Sequence, residues 1–292
     1  MKADKYFVWH IQGGLGKNIA ATALVGDLKK NYSDRKLILV VSYPEVFLNN
    51  PFIDRVYNIG QAPYFYEDYI EGKDVIVCRH DPYFETGHIT KTQHLIQSWC
   101  NLLKIKYTGQ LPAIFINYTQ KQLTGLWKRN KPTIVLQTGS GPATKYNYSW
   151  TRDIPQDLAQ AIVDKYSTNY HIFQVTREGG YKLNNVERVD YQLSNTELFA
   201  ILIEAEKRIL IDSALQHASA AFKLPSTVLW IGTSPTVFGY KLHTNIQASI
   251  PKKANQLIGS YLNDFQFDNN IHECPYIQLK DIFNVTNVLN TI

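Results

Sequence analysis

The sequence is poor in cysteine. Cys78, Cys100 and Cys274 are its only three, and their spacing is irregular. So few thiols build neither a disulfide framework nor a zinc site, and they read as reduced side chains of a cytoplasmic protein. Long apolar runs are missing too. No window approaches the roughly 18 residues of a membrane-crossing helix, so no transmembrane segment is expected. The opening Met1-Lys2-Ala3-Asp4-Lys5 leads straight into an apolar stretch and lacks a signal-peptide pattern. Charged residues make up 19% and hydrophobic residues 45%, which excludes disorder, collagen and coiled coil for the bulk of the chain. Internal repeats and low-complexity segments are absent.

What is there is a chain of 292 residues. That is long enough for a sizeable core and for two domains of roughly 100–200 residues each. The net charge of +5 is unevenly spread. Residues 1–128 hold 15 Lys and Arg against 11 Asp and Glu, whereas residues 129–292 hold 15 against 14. The basic excess lies in the first half. It is compatible with an anionic partner there, and equally with a mildly basic surface.

Strand-like and helical stretches alternate along the chain. Tyr6–Ile11, Leu37–Val41, Val56–Ile59 and Asp74–Cys78 are apolar runs of strand length. A helical stretch is expected from about Asn18 to Lys30, and another over His88–Ile105, where Leu95, Ile96, Trp99, Leu102 and Leu103 recur at helical spacing. The rhythm pauses in the polar stretch Tyr118–Lys131 and then restarts. Thr133–Gln137, His171–Val175, Arg208–Ile211 and Thr227–Ile231 read as strands. Pro155–Tyr166, Asn195–Ala205 and Ser213–Phe222 read as helices, and a closing helix is expected from about Asp281. Such alternation predicts an α/β protein with parallel sheets covered by helices. Residues 1–125 are expected to form one Rossmann-like lobe and residues 126–292 a second, with a cleft between them.

Three strand-to-helix turns carry residues suited to chemistry. The first is Gly13-Gly14-Leu15-Gly16-Lys17-Asn18. Glycine lets the backbone approach a ligand closely, and a helix N-terminus offers N–H groups to an anion. The spacing is neither the dinucleotide fingerprint nor a P-loop. The second is Thr138-Gly139-Ser140-Gly141, with Lys145 and Arg152 downstream. Hydroxyls, backbone N–H groups and cations together suit a diphosphate. The third runs from Ile211 to Ala221. Asp212 and Ser213 stand where a helix cap is wanted, and His217 follows Ser213 by one helical turn, where it can donate to a phosphate. The next strand ends in Gly232-Thr233-Ser234-Pro235. Open α/β sheets bind ligands at this carboxyl edge.

Asp212-Ser213-Ala214-Leu215-Gln216-His217, followed by Ala220-Ala221, Leu224-Pro225 and Leu229-Trp230-Ile231-Gly232-Thr233, resembles the donor-site signature of the ADP-heptose–lipopolysaccharide heptosyltransferases. The turns at Gly13–Gly16 and Thr138–Ser140 fall in matching order. The resemblance implies a glycosyltransferase of the GT-B type, with two Rossmann-like lobes facing a central cleft. The C-terminal lobe would hold a nucleotide-diphosphate sugar and the N-terminal lobe the acceptor. Asp212, Ser213 and His217 would contact the donor, with Thr138, Gly139, Ser140, Lys145 and Thr233 on its phosphate side and Gly14, Gly16 and Lys17 at the first turn. The resemblance also implies inverting, metal-independent transfer, with no cofactor beyond the donor itself. No Asp-x-Asp motif, the usual metal bridge to a sugar nucleotide, occurs in the chain.

Two positions depart from the family pattern. Its motif glycine is Ala214 here, and the Asp that serves as its usual base, directly after the residue corresponding to Gly16, is Lys17. A lysine cannot take that role unless its pKa is strongly depressed. The base is therefore expected elsewhere in the first lobe. Asp81, following the strand Asp74–Cys78, is the first candidate, and His10, at the end of the first strand, the second. Asp81 before Pro82 also suits a plain turn. The expected acceptor is a saccharide of a bacterial surface glycan, handled in the cytoplasm or at the periphery of the inner membrane. DNA carrying a hydroxymethylated base is the alternative acceptor, in keeping with the Lys-rich first half. A non-catalytic sugar-nucleotide-binding module is the further alternative that Lys17 raises.

Overall fold

The structure is a computed structural model that describes residues 3–141, 149–189, 193–249, 274 and 276–292. The chain divides into two compact units, Met1–Asn117 with Ala220–Phe222, and Tyr118–Ser219 with Lys223–Ile292. The division precedes the expected 125/126 boundary because the polar stretch forms a helix, Tyr118–Thr124, that packs against the helix Asn195–Glu204 of the second unit.

The first unit is built on β1 (Lys5–Ile11), β2 (Lys36–Val41), β3 (Arg55–Asn58) and β4 (Asp74–Cys78). All pair in parallel in the order β3-β2-β1-β4, with Val8 opposite Ile38 and Val77. The central strand is apolar on both sides because both faces are covered. Trp9 is fully buried and meets Trp99 of the helix Leu95–Leu103 edge-on at 5.8 Å, while Tyr6 and Val8 point to a second cluster with Ile38 and Tyr69. The chain leaves β1 toward β2 and β3 on one side and later returns to β4 on the other. The switch point of the sheet therefore lies between β1 and β4.

Two expected helices are interrupted. The stretch from Asn18 to Lys30 consists of a helix Leu15–Ala21, a 3-10 turn Thr22–Leu24 and a helix Val25–Asn31. Thr22 causes the break: its hydroxyl donates to Ile19 O at 2.6 Å and accepts from Ala113 N at 2.9 Å, a back-bond that bends helices. The stretch from His88 to Ile105 keeps only Leu95–Leu103, preceded by a single turn Thr86–Ile89. Lys91 stands between them at φ +62, outside helical space, and His94 starts the longer helix by accepting from Ile96 N at 3.2 Å.

The second unit carries β5 (Thr133–Gln137), β6 (His171–Val175), β7 (Glu187–Val189), β8 (Lys207–Ile211), β9 (Thr227–Trp230) and β10 (Thr244–Gln247). They form one parallel sheet in the order β10-β9-β8-β5-β6-β7, with its switch point between β5 and β8. Ile134, Leu136, Ile209 and Ile211 of the strands pack against Leu158 and Ile162 of the helix Gln156–Tyr166. Ile282, Phe283 and Val288 complete this core from the C-terminal segment. The closing helix starts later than Asp281, at Val285, because Asn284 caps it by accepting from Asn287 N at 3.0 Å. The three cysteines are free, and among the described residues no helix is long and apolar enough to cross a membrane.

Candidate functional site

At the carboxyl edge of the first sheet, the Gly13–Asn18 turn and the loop after β4 meet. Lys17 donates from Nζ to Asp81 Oδ2 at 2.6 Å. Its side chain is 6% exposed, whereas that of Asp81 is 33% exposed. The ammonium also lies 4.5 Å from the centre of the Tyr83 ring, a cation–π contact. Asp81 Oδ1 accepts from Tyr83 N at 3.0 Å, which starts the 3-10 turn Pro82–Phe84. The expected Asp-Pro turn is there, and the same carboxylate also bonds Lys17. Each of its oxygens keeps lone-pair capacity for a further donor.

The glycines have distinct duties. Gly13 sits at φ +116, where a side chain is strained, and a Cβ there would come within 2.9 Å of Lys17 Cδ. Gly14 adopts ordinary extended backbone ahead of the helix, and its carbonyl accepts from Asn18 Nδ2 at 3.0 Å. Gly16 lies inside the helix Leu15–Ala21. His10, the second candidate base, is half-buried on β1. Burial pushes its imidazole down from the usual range, and the charge of Arg79 adds to this.

A cleft of about 600 Å³ opens beside this turn, lined by Gln12, Gly13, Ser42, Tyr43, Asn58 and Ile59. These residues follow or end β1, β2 and β3. Sequence reading singled out Gly13 but missed the other five, although their place at strand ends was a usable signal.

At the carboxyl edge of the second sheet, the expected donor residues form an internal network. Ser213 donates to Gln137 Oε1 at 2.7 Å, joining β8 to β5 across the switch point. Thr233 is fully buried and donates to Asp212 Oδ2 at 2.7 Å. Arg152 Nε stands 3.7 Å from the same oxygen. Thr138 is buried, and its hydroxyl accepts from Gln174 Nε2 at 3.0 Å. Asp153 and Arg177 form a buried ion pair, and Asp153 also accepts from Ser149 N at 2.7 Å. Burial pushes the Asp153 carboxyl up, against the pull of Ser149 N–H and Arg177. Gly139 borders this pair, since a Cβ there would touch Arg177 Nε and Asp153 Oδ1 at 3.4 Å. Ser140 is half-buried at the rim, and Lys145 lies outside the described residues. His217 is buried, with its Nδ1 2.7 Å from the Tyr240 hydroxyl. Gln137, Ser149, Asp153, Gln174, Arg177 and Tyr240 are the members that sequence reading did not single out.

A larger cleft, about 930 Å³, lies at the amino edge of the same sheet. In its lining Arg129 makes two bonds to Glu187, at 2.8 and 3.0 Å, His171 lies 2.8 Å from the same carboxylate, and Lys131 donates to the carbonyls of Ser167 and Thr168. Among the described residues no three His, Cys, Asp or Glu side chains converge as metal ligands.

Comparison with solved structures decides the architecture. A glycosyl transferase family 9 protein from Veillonella parvula superposes with a TM-score of 0.68 at 15% identity, over 99% of this chain and 97% of that one. The fold is that of the GT-B heptosyltransferases. The E. coli ADP-heptose LPS heptosyltransferase II gives a TM-score of 0.62 at 12% identity, over 86% of this chain and 91% of its own. The dodecameric iron-containing glycosyltransferase TibC from enterotoxigenic E. coli gives 0.68 at 14% identity, over 99% and 77%, and has also been solved in complex with ADP-D-beta-D-heptose. No family model and no curated protein matches the sequence. The GT-B heptosyltransferase fold fits both lobes: each has a parallel sheet with its switch point flanked by the turns picked out above.

Proposed function

We propose that the protein is a glycosyltransferase that moves a sugar from a nucleotide diphosphate to a saccharide hydroxyl. The observation that carries this reading is the full-length likeness to heptosyltransferase structures, together with the clustering of Asp212, Ser213, Thr233 and Arg152 at the switch point of the second sheet. The second unit binds the donor, and TibC with ADP-D-beta-D-heptose favours an ADP-sugar. Most of the polar side chains there act by holding the loops. The diphosphate meets backbone N–H groups together with the side chains of Arg152, which also stands near Asp212, and His217 of the helix Ala214–Ala221, which also contacts Tyr240.

The first unit binds the acceptor and supplies the base. Asp81 takes the proton of the acceptor hydroxyl as its oxygen attacks the anomeric carbon, and the bond to the diphosphate oxygen breaks with inversion. A saccharide fits the first unit better than DNA. The likeness to an LPS heptosyltransferase favours it, and Lys5, Lys17, Lys29 and Arg35 are each engaged with a carboxylate, those of Asp34, Asp81, Asp54 and Asp74.

Calorimetry with ADP, UDP, GDP and their sugars tests the donor half. ADP compounds are expected to bind, and His217→Ala to weaken them by about 1–3 kcal/mol, the worth of a charge-assisted contact. Absence of binding to every nucleotide diphosphate would sink the reading.

A further inference from the structure

We infer that the acceptor is an uncharged saccharide, seated in the cleft at the carboxyl edge of the first sheet. This rests on the glycosyltransferase reading and names the substrate class of its acceptor side. The cleft lining carries amides, hydroxyls and one aromatic ring: Gln12, Ser42, Tyr43 and Asn58, with Gly13 and Ile59. None of these side chains is ionisable near neutral pH. The side-chain polar atoms of Gln12, Ser42 and Tyr43 make no hydrogen bond to any described residue, and Asn58 makes only a 3.4 Å contact with Gln61. Amide groups both donate and accept, as sugar hydroxyls do, and an aromatic face covers the apolar face of a sugar ring.

The electrostatics point the same way. The Lys17 ammonium, beside Gly13 of the lining, is spent on Asp81 at 2.6 Å with little of its side chain exposed. A phosphate or carboxylate on the acceptor would meet no free cation in this lining. Duplex DNA would meet the same deficit.

Gly13 connects the cleft to the base. It lines the cleft, and a Cβ placed on it would stand 3.6 Å from Lys17 Nζ, which bonds Asp81. A hydroxyl of a sugar in the cleft thus approaches the carboxylate across a residue with no side chain. Two exposed aromatics sit on loops of the same edge: Tyr64 after β3, 76% exposed, and Phe84 after β4, 82% exposed. Tyr64 is held at φ +55, a costly conformation for a bulky residue. Both offer further sugar units a surface for stacking.

The test uses the full chain on an array of neutral, carboxylated and phosphorylated saccharides, with duplex DNA as a separate arm. Wild type, Tyr43→Ala and Asn58→Leu are compared, with Ser42→Val as the replacement should either variant unfold on heating. Neutral saccharides are expected to bind, with less than about twofold change between roughly 50 and 500 mM salt. Each variant is expected to lose about tenfold or more in affinity, with ADP affinity in calorimetry unchanged. Capture of charged saccharides or DNA alone, capture of nothing, or neutral binding that survives the variants would overturn the inference. A chain that binds neutral saccharides through these residues but no nucleotide diphosphate would instead overturn the glycosyltransferase reading and leave the saccharide site standing.

Discussion

The Lys17 ammonium donates to Asp81 Oδ2 at 2.6 Å, across a span of 64 residues. A carboxylate therefore stands at the first strand-to-helix turn, although that turn itself carries lysine and no acid. The acid comes from the loop after β4, the neighbour of β1 at the switch point. Asp81→Asn keeps the turn and removes the basic oxygen. Nucleotide release from the donor sugar is expected to fall by roughly 10²-fold or more, with ADP affinity unchanged. Near-full turnover in this variant would make His10 the residue to test. A double-mutant cycle measures the pair itself. Lys17→Asp and Asp81→Lys should each destabilise, and the combined reversal should recover about 0.5–3 kcal/mol relative to their sum.

Gly13→Ala probes the cleft wall. The backbone there is at φ +116, and the new methyl would press on Lys17 Cδ at 2.9 Å. A loss of about 1–3 kcal/mol is expected in urea unfolding. Gly14→Ala is the control, since a Cβ at Gly14 meets nothing within 4 Å. Equal stability of the two variants would contradict this account.

His88 predicts a pH dependence. It is fully buried and stacks on Tyr83 at 4.9 Å. Burial pushes its imidazole down to about 4; Asp81 pulls upward, and His94 and Lys17 add to the lowering. The folded state keeps it neutral, while the unfolded chain takes up a proton below about 6.5. Its contribution is complete above pH 6.5 and is lost as pH falls from 6.5 toward 4. Between pH 7 and pH 5 the wild type should lose about 2 kcal/mol through this residue. His88→Phe should remove that part of the slope, and an unchanged slope would refute the assignment. His243, also pushed down by burial, acts in the same direction.

Arg177→Met tests the support of the second sheet's edge. It leaves Asp153, 2% exposed, with a buried charge and no guanidinium. Unfolding experiments should show a loss of about 3–5 kcal/mol, the cost of breaking a buried pair. ADP affinity should fall as well, because Gly139 lies against both members of the pair. A variant as stable as the wild type would show that the pair holds nothing.

Both lobes and most of their strands were legible in the sequence. β5 and β6 coincide with apolar runs read directly from it, because inner parallel strands are buried on both faces, and the edge strand β4 coincides with another. β7 and β10 escaped notice, being edge strands of three and four residues with mixed polarity. The helix breaks at Thr22 and Lys91 were hidden for another reason. Each depends on a local bond or backbone angle that periodicity does not encode.

The functional turns were visible because glycine, hydroxyl and cap residues after a strand have few other uses. Their partners were not. Sequence alone marked Lys17 as a departure and Asp81 as a candidate, and it marked Ser213, Thr233 and Asp212 as donor residues. Only the tertiary structure decided that Lys17 binds Asp81, that Thr233 is spent on Asp212, and that Ser213 is tied to Gln137. Apolar periodicity reports which face of an element is buried, so it determines the sheets. Pairing between side chains 21 to 76 residues apart depends on strand order, and strand order exists only once the sheets have formed.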